Sequence, residues 1–393
     1  MHILFLDELT FPYGNAFASR ARCLCSLFVH MGHTVHVISP FSNDKTNEAK
    51  KVYAFENYTY QIASSSRNKS WMTFVGNPDF IPCVKKYLEE NKVDLIFSSA
   101  CHTYYFSILK LAKKYKAKYV VEQCEWLDVS NFKFGKFDAR YILGNYIRQH
   151  GYCKASGIVA ISRLLKDYYS NLGIKVIRVP TILDVRGTEY RKEVKDNSKI
   201  VLVYTGNPGV SKEFLLQIFQ AIDGSNLLKA KMEFHIYGPN KTGVLNNIGH
   251  ENGALLEKLN DCVFIHGHVE QQIIEEIIRS SDYQIFIRPD RNSSNAGFPT
   301  KLGESMSVGT PVIANITGDI GLYLKDSING FTLDSIDPLT IRAKLETICH
   351  MSKEDRTSMR VKARETAESS FELTGYLSVF ETFFDDVQSV VNE

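Results

Sequence analysis

Twice in 393 residues the chain runs through the same pattern: a short apolar run of strand length, a turn, then a helix-length stretch with one apolar face. The first series opens with Ile3 to Leu6 as a strand, Phe17 to Met31 as a helix stopped by Gly32, and Val35 to Ile38 as a second strand. It resumes with Leu95 to Phe97, a helix through Leu109 and Leu111, Tyr119 to Val121, a helix near Tyr141 to His150, Ile158 to Ile161 and Val176 to Val179. The stretch from Pro40 to Phe74, rich in Asn, Ser and Lys with aromatics between, stays open. A second series starts at Ile200 to Tyr204, continues with a helix over Phe214 to Ile222, and adds strands at Phe234 to Tyr237, Val263 to Ile265, Tyr283 to Ile287 and Val312 to Ala314.

Strands alternating with helices form a parallel sheet covered on both faces. The expected fold class is α/β, two doubly wound Rossmann-like domains with an interdomain cleft. Residues 1–183 form the first domain and 184–372 the second. Residues 373–393 form an amphipathic helix expected to pack across the interdomain region. The polar stretch Asp184 to Lys199, after Pro180, is the natural linker. In such sheets ligands bind at the carboxyl ends of the strands.

Bulk properties narrow the partners. A net charge of +2 gives no global attraction to nucleic acid or acidic lipid, so an electrostatic partner must be met by a local patch. Met1 to Asp7 runs directly into a strand, without the charged lead and cleavage site of a signal peptide, and no window approaches the ~20 apolar residues of a membrane span. A cytoplasmic protein is expected. The eight cysteines are scattered rather than paired at zinc-ligand spacing, and Cys23 and Cys25 lie two apart in a helical pattern, where side chains face different ways.

The densest signal is Asn295 to Ile313, NAGFPTKLGESMSVGTPVI. Gly297 lets backbone approach a ligand, Pro299 suits a first helical turn, Lys301 and Glu304 lie three apart on one helical face, and Gly309 ends the helix. A helix N-terminus beside a lysine suits a diphosphate, and a carboxylate one turn on can accept bonds from a ribose diol. A Lys301–Glu304 pair on a solvated face is the competing account.

This string resembles the donor-binding helix of family 4 retaining glycosyltransferases of the GT-B fold, in the bacterial polysaccharide-assembly branch. Further fragments resemble the same family in order: TGNPGVSKE from Thr205 to Glu213, with Lys212 on a phosphate; Ala160 to Ser162 as a strand-end serine; Asp184 as a linker aspartate; Gly14, and Gly32 with His33, as the opening of the acceptor domain. The resemblance implies a nucleotide-diphosphate sugar donor, a UDP-sugar before a GDP-sugar, and a glycan or lipid-linked glycan acceptor. It also implies retention, with no cofactor. The family commonly carries two glutamates eight positions apart, yet the partner expected for Glu304 falls at Ala296. The carboxylate that holds the donor sugar is thus missing, replaced, or supplied by Asp290. Backbone N–H groups of Ala296, Gly297 and Phe298 remain available to the sugar.

The catalytic candidates are His102, Lys212 and Glu304, His102 resembling a family histidine that contacts the transferred sugar or acceptor. Donor binding is assigned to Gly206, Asn207, Lys212, Gly238, His268, Arg288, Ala296, Gly297, Phe298, Pro299, Lys301 and Glu304. Acceptor binding is assigned to Gly14, Asn15, Arg20 and Glu125. For Arg288 an ion pair with Asp290 or Asp282 competes with a phosphate contact, and for Arg20 simple surface solvation competes. With no Asp-x-Asp motif and no third ligand beside His266 and His268, no metal is expected. The leaving diphosphate is neutralised instead by Lys212, Lys301, Arg288 and a helix dipole. A nucleotide-sugar epimerase on the same fold and a non-catalytic nucleotide-sugar-binding subunit are the alternatives, the second motivated by Ala296. Nucleic acid is not an expected partner. Tyr104 to Lys118, a helical stretch opening with the aromatics Tyr104, Tyr105 and Phe106 and carrying five lysines, is a candidate for reversible contact with the inner face of a membrane.

Overall fold

The computed structural model describes all residues except 8, 15, 43–46, 65–75, 100–102, 130, 131, 133, 195–198 and 390–393. Its residues fall into two compact units. One comprises Met1–Ile182, Asn295–Phe298 and Leu373–Glu393, and the other Leu183–Ser294 and Pro299–Glu372.

The first unit holds an eight-stranded sheet in the order β3-β4-β2-β1-β5-β6-β7-β8. Its strands are β1 (His2–Leu6), β2 (Thr34–Ser39), β3 (Val52–Phe55), β4 (Tyr58–Ile62), β5 (Leu95–Ser99), β6 (Lys118–Gln123), β7 (Gly157–Ala160) and β8 (Val176–Arg178). All pairings are parallel except that of β3 with β4. The hairpin of β3 and β4 occupies the stretch the sequence left open. Its Tyr53, Phe55, Tyr58 and Tyr60 stack on one another and around Phe11. The helix Phe80–Glu90 was likewise not read from the sequence.

The last helix, Leu377–Ser389, belongs to this unit. Its Phe380 and Phe384 lie 5.2 and 5.3 Å from the Phe28 ring, which itself meets Phe97 at 5.3 Å. Gly157 of β7 makes room for it, since a Cβ there would stand 2.6 Å from Phe383 Cζ. The apolar stripe read as an amphipathic helix is thus buried against β-sheet and the helix Ala16–His30.

The second unit holds a six-stranded parallel sheet in the order β11-β10-β9-β12-β13-β14. These are β9 (Ile200–Thr205), β10 (Met232–Tyr237), β11 (Val263–Gly267), β12 (Tyr283–Phe286), β13 (Val312–Asn315) and β14 (Gly330–Leu333). In each sheet the order reverses about one strand: β1 lies between β2 and β5, and β9 between β10 and β12. Those are the switch points where doubly wound sheets open a crevice.

The polar stretch expected as a linker is anchored to the rest of the second unit at several points. Leu183 N donates to Phe371 O, Arg186 N to a Glu372 carboxylate oxygen, Arg364 to Thr188 O, and Arg360 to Arg191 O. Arg360 is almost wholly buried, so its guanidinium must be satisfied internally, and the carbonyls of Arg191, Ser281 and Arg279 do so. No helix among the described residues is long and apolar enough to cross a membrane.

Candidate functional site

In the second unit the chemistry gathers at the switch point between β9 and β12. After β9 the chain turns through Gly206, whose φ of 114° only glycine adopts freely, and Gly238 at the end of β10 has φ 120°. A Cβ on Gly238 would stand 2.1 Å from Gly206 O, and one on Gly206 would stand 3.1 Å from Lys301 Cε. Both glycines therefore leave bare backbone at the strand ends. Asn207 Oδ1 accepts from Gly209 N at 2.9 Å and closes the turn, and Lys212 N donates to Pro208 O at 3.1 Å. This leaves the Lys212 side chain exposed.

Glu213, next in the chain, is turned inward and 3% exposed. Its carboxylate accepts from Lys301 Nζ and from Tyr204 Oη, while Lys301 Nζ also donates to Tyr204 Oη at 3.2 Å and lies 4.3 Å from that ring's centre. Asn247 fixes this turn, accepting from Leu215 N and donating to Gly209 O and Glu213 O at 2.9 and 2.8 Å. Neither Glu213 nor Asn247 was singled out from sequence.

Arg288 follows β12 and is 7% exposed. Its backbone is latched to β13, with Arg288 N donating to Asn315 Oδ1 and Asn315 Nδ2 to Arg288 O, both at 2.8 Å. The guanidinium reaches Thr317 Oγ1 at 3.4 Å. Asp282, offered as its ion-pair partner, accepts from Val201 N and lies 3.8 Å from Arg191. Burial lowers the pKa of Arg288, Glu213 opposes, and Arg291 adds to the lowering. Burial likewise lowers Lys301. Glu213 works against this, and the charges of Lys212 and Arg288 push the same way as burial. Glu213 is thus paired with Lys301 and acts on Arg288, while Lys212 and Arg288 both repel Lys301, an arrangement an added polyanion would relieve.

Pro299 is the N-cap of the helix Thr300–Ser307, Lys301 stands in its first turn, and Gly309, at φ 73°, closes it as expected. Lys301 pairs with Glu213, so the solvated Lys301–Glu304 pair is not formed. Half-buried Glu304 has its pKa raised by burial, against a hydrogen bond from Thr300 and the charge of Lys301. Ala296 ends the short helix Asn292–Ala296, and Gly297 and Phe298 connect it to Pro299. His268, just past β11, is exposed. His266 bonds to His235 at 2.9 Å and stacks on Tyr237 at 4.2 Å. Among the described residues no group of three or more His, Cys, Asp or Glu is placed to hold a metal ion.

In the first unit the strand ends carry a different set. Arg20 is 4% exposed, which rules out surface solvation. Its Nε donates to Glu122 at 2.6 Å, and its two terminal nitrogens to Pro180 O and to Val179 O, the latter at 2.9 Å. The guanidinium therefore ties the end of β6 to the segment after β8. Asp7, beyond β1 at the first switch point, accepts from Leu9 N at 3.0 Å, and its second oxygen is buried without a partner. Burial, with Glu122 nearby, raises it to about 7 despite that bond. Gly14 lies before the helix Ala16–His30 at φ 133°, and Glu125 is exposed two residues past β6. Ser162 caps the helix Arg163–Asn171, accepting from Leu165 N. Asn15 and His102 lie outside the described residues.

Residues 18–185 match the family model described as Glycosyltransferase Family 4, and residues 199–351 the one described as Glycosyl transferases group 1. No protein of curated function matches the sequence. Solved structures share the fold at low identity. Sucrose-phosphate synthase from Thermosynechococcus elongatus aligns with a TM-score of 0.74 at 12% identity, over 98% of this chain and 99% of that one. HepE from Anabaena, in complex with UDP and glucose, gives 0.67 at 15% over 98% and 100%. The lipopolysaccharide outer core galactosyltransferase WaaB gives 0.59 at 16% over 98% and 99%.

Proposed function

Because the chain is a glycosyltransferase of the GT-B fold, with a family 4 domain ahead of a group 1 domain, we propose a specific transfer. The donor is a nucleotide-diphosphate sugar, a UDP-sugar before a GDP-sugar. The acceptor is a glycan or lipid-linked glycan in the cytoplasm, the configuration is retained, and the product is surface polysaccharide. The observation that carries the donor assignment is the buried Lys301–Glu213 pair at the β9/β12 switch point, with Arg288 and Lys212 close enough to repel Lys301. HepE, of the same fold, has been solved with UDP and with UDP-glucose.

In this reading the bond from the sugar's anomeric carbon to the diphosphate oxygen breaks as the acceptor oxygen bonds to that carbon, and the acceptor proton passes to a phosphate oxygen. The three cations stabilise the negative charge that the diphosphate gains. Gly206, Asn207 and Gly238 give backbone access, His268 lies by the nucleobase, and Glu304 accepts from the ribose. Ala296, Gly297, Phe298 and Pro299 line the sugar, with His102 on the transferred sugar and Gly14, Asn15 and Glu125 on the acceptor. No divalent ion is required.

Ala296, where the resemblance places a glutamate, favours one second reading, donor binding without turnover. Thermal unfolding against a panel of nucleotide sugars tests the donor, since a ligand at ~100 times its dissociation constant adds about 2.7 kcal/mol. Product analysis with and without glycan acceptors, in excess chelator, then separates transfer from epimerisation and from mere binding. No stabilisation by any nucleotide sugar overturns the assignment.

A further inference from the structure

The helix Ala139–Tyr146 and the turn before it present their large side chains outward. Phe134 is 64% exposed, Phe137 77%, Ile142 54% and Tyr146 52%, and of the eight helical residues only Gly144 is buried. The patch is continuous with a second helix: Tyr146 meets the ring of Phe106, itself 40% exposed, at 6.3 Å. Five large apolar side chains exposed on one turn and two neighbouring helices mark a contact surface.

Phe106 lies near the start of the helix Tyr105–Tyr115, and Lys110, Lys113 and Lys114 follow it at four, seven and eight residues, on the same exposed face. The structure corrects the five-lysine patch expected here. Lys118 is buried at the start of β6, and Lys116 sits in the left-handed C-cap. Tyr105 is buried too, donating to Gly151 O, whereas Phe106 is not. Lys136, over the ring of Phe137 at 5.3 Å, adds a cation beside the aromatic turn. Residues 104–118 contain no Asp or Glu, and residues 129–155 contain one, Asp138, which pairs with Arg140 at 2.9 Å.

We infer that this face of the first unit docks on an anionic lipid surface. Phe134, Phe137, Ile142 and Tyr146 enter the boundary between headgroups and acyl chains, and Lys110, Lys113, Lys114 and Lys136 meet the headgroup charge. Exposed apolar side chains with lysines beside them, and one nearby carboxylate already paired with Arg140, match such a surface in both polarity and sign. A nucleic acid answers the lysines but leaves the branched and phenyl side chains in water.

The test is vesicle flotation with phosphatidylcholine alone and with a phosphatidylcholine–phosphatidylglycerol mixture. Three proteins are compared: wild type, a Phe134→Ser/Phe137→Ser/Ile142→Ser variant, and a Lys110→Glu/Lys113→Glu/Lys114→Glu variant. Wild type is expected to bind only the mixed vesicles, and each variant to lose about tenfold or more of that binding, with unchanged thermal midpoints. A Phe137→Trp variant, altered at the most exposed side chain of the patch, should shift its fluorescence to the blue on mixed vesicles alone. Any of three results overturns the proposal: no wild-type binding to mixed vesicles, equal binding by wild type and both variants, or retention by single-stranded RNA without vesicle binding. A dimer abolished by the serine variant, with no vesicle binding, assigns the face to a second copy of the chain instead.

Discussion

Lys301 and Glu213 form an ion pair with 14% and 3% of their side chains exposed, eighty-eight residues apart in the chain. Removing the lysine alone strands a buried carboxylate, so Lys301→Ala is expected to cost about 3–5 kcal/mol of stability. Changing both, Lys301→Met with Glu213→Gln, should restore most of it while UDP binding stays weak, because the cation is gone. Denaturant unfolding and a UDP titration read the two effects separately. UDP binding at wild-type strength in the double variant would take Lys301 out of the donor site.

Lys212 and Glu304 are expected to behave differently from that pair. Lys212 is exposed and Glu304 half-buried, so neither Lys212→Ala nor Glu304→Ala should lower the thermal midpoint much. Each should nevertheless lose on the order of 2–4 kcal/mol of transition-state stabilisation, seen as a drop in kcat/KM for the donor. Near-normal turnover in either variant would refute its role.

The contrast between Lys212 and Glu213 shows where sequence reading stops. The alternation of apolar runs was enough to find both sheets, because a parallel strand buried on both faces leaves a continuous apolar signature. β14 and the hairpin of β3 and β4 escaped: the one, Gly330–Leu333, breaks its apolar run with a glycine and a threonine, and the other mixes aromatics with polar residues. Within the site, glycines and lysines stood out by motif. Glu213 did not, since an acidic residue in a polar turn reads as solvated. Its inward orientation comes from Asn247, on a helix thirty-four residues away, which holds the Glu213 carbonyl. The solvation alternative for Arg20 failed for the same reason: its partner Glu122 lies on another strand.

Asp7 sets an expected pH dependence. Between the ordinary value of 3.8 and about 7 the folded chain keeps a proton that the unfolded chain releases. Stability should therefore fall as pH rises through that window and level off above it, by about 4 kcal/mol for this group alone. Asp7→Asn keeps an acceptor for Leu9 N and should flatten the slope while raising the midpoint at pH 8. An identical pH profile for wild type and Asp7→Asn would show that the carboxyl is not held protonated.

At Gly157 a methyl group has no space, with Phe383 Cζ at 2.6 Å and Val387 Cγ2 at 3.1 Å. Gly157→Ala is expected to cost about 1–3 kcal/mol by forcing the last helix outward. Phe384→Ala should cost about 3–5 kcal/mol by opening a cavity beside Phe28. Unfolding midpoints of the two variants check both, and a neutral Gly157→Ala would mean the helix is not seated as described.

The position of that helix also bears on how the chain is made. Phe28 emerges from the ribosome long before Phe380 and Phe384, which cover it. Domains ordinarily fold in the order of their synthesis. Here the first unit cannot bury its aromatic centre until the whole of the second has been translated. A nascent chain must carry an open hydrophobic face while residues 183–372 are made, and a polypeptide cut short before Phe380 is left with its second unit whole and its first unfinished.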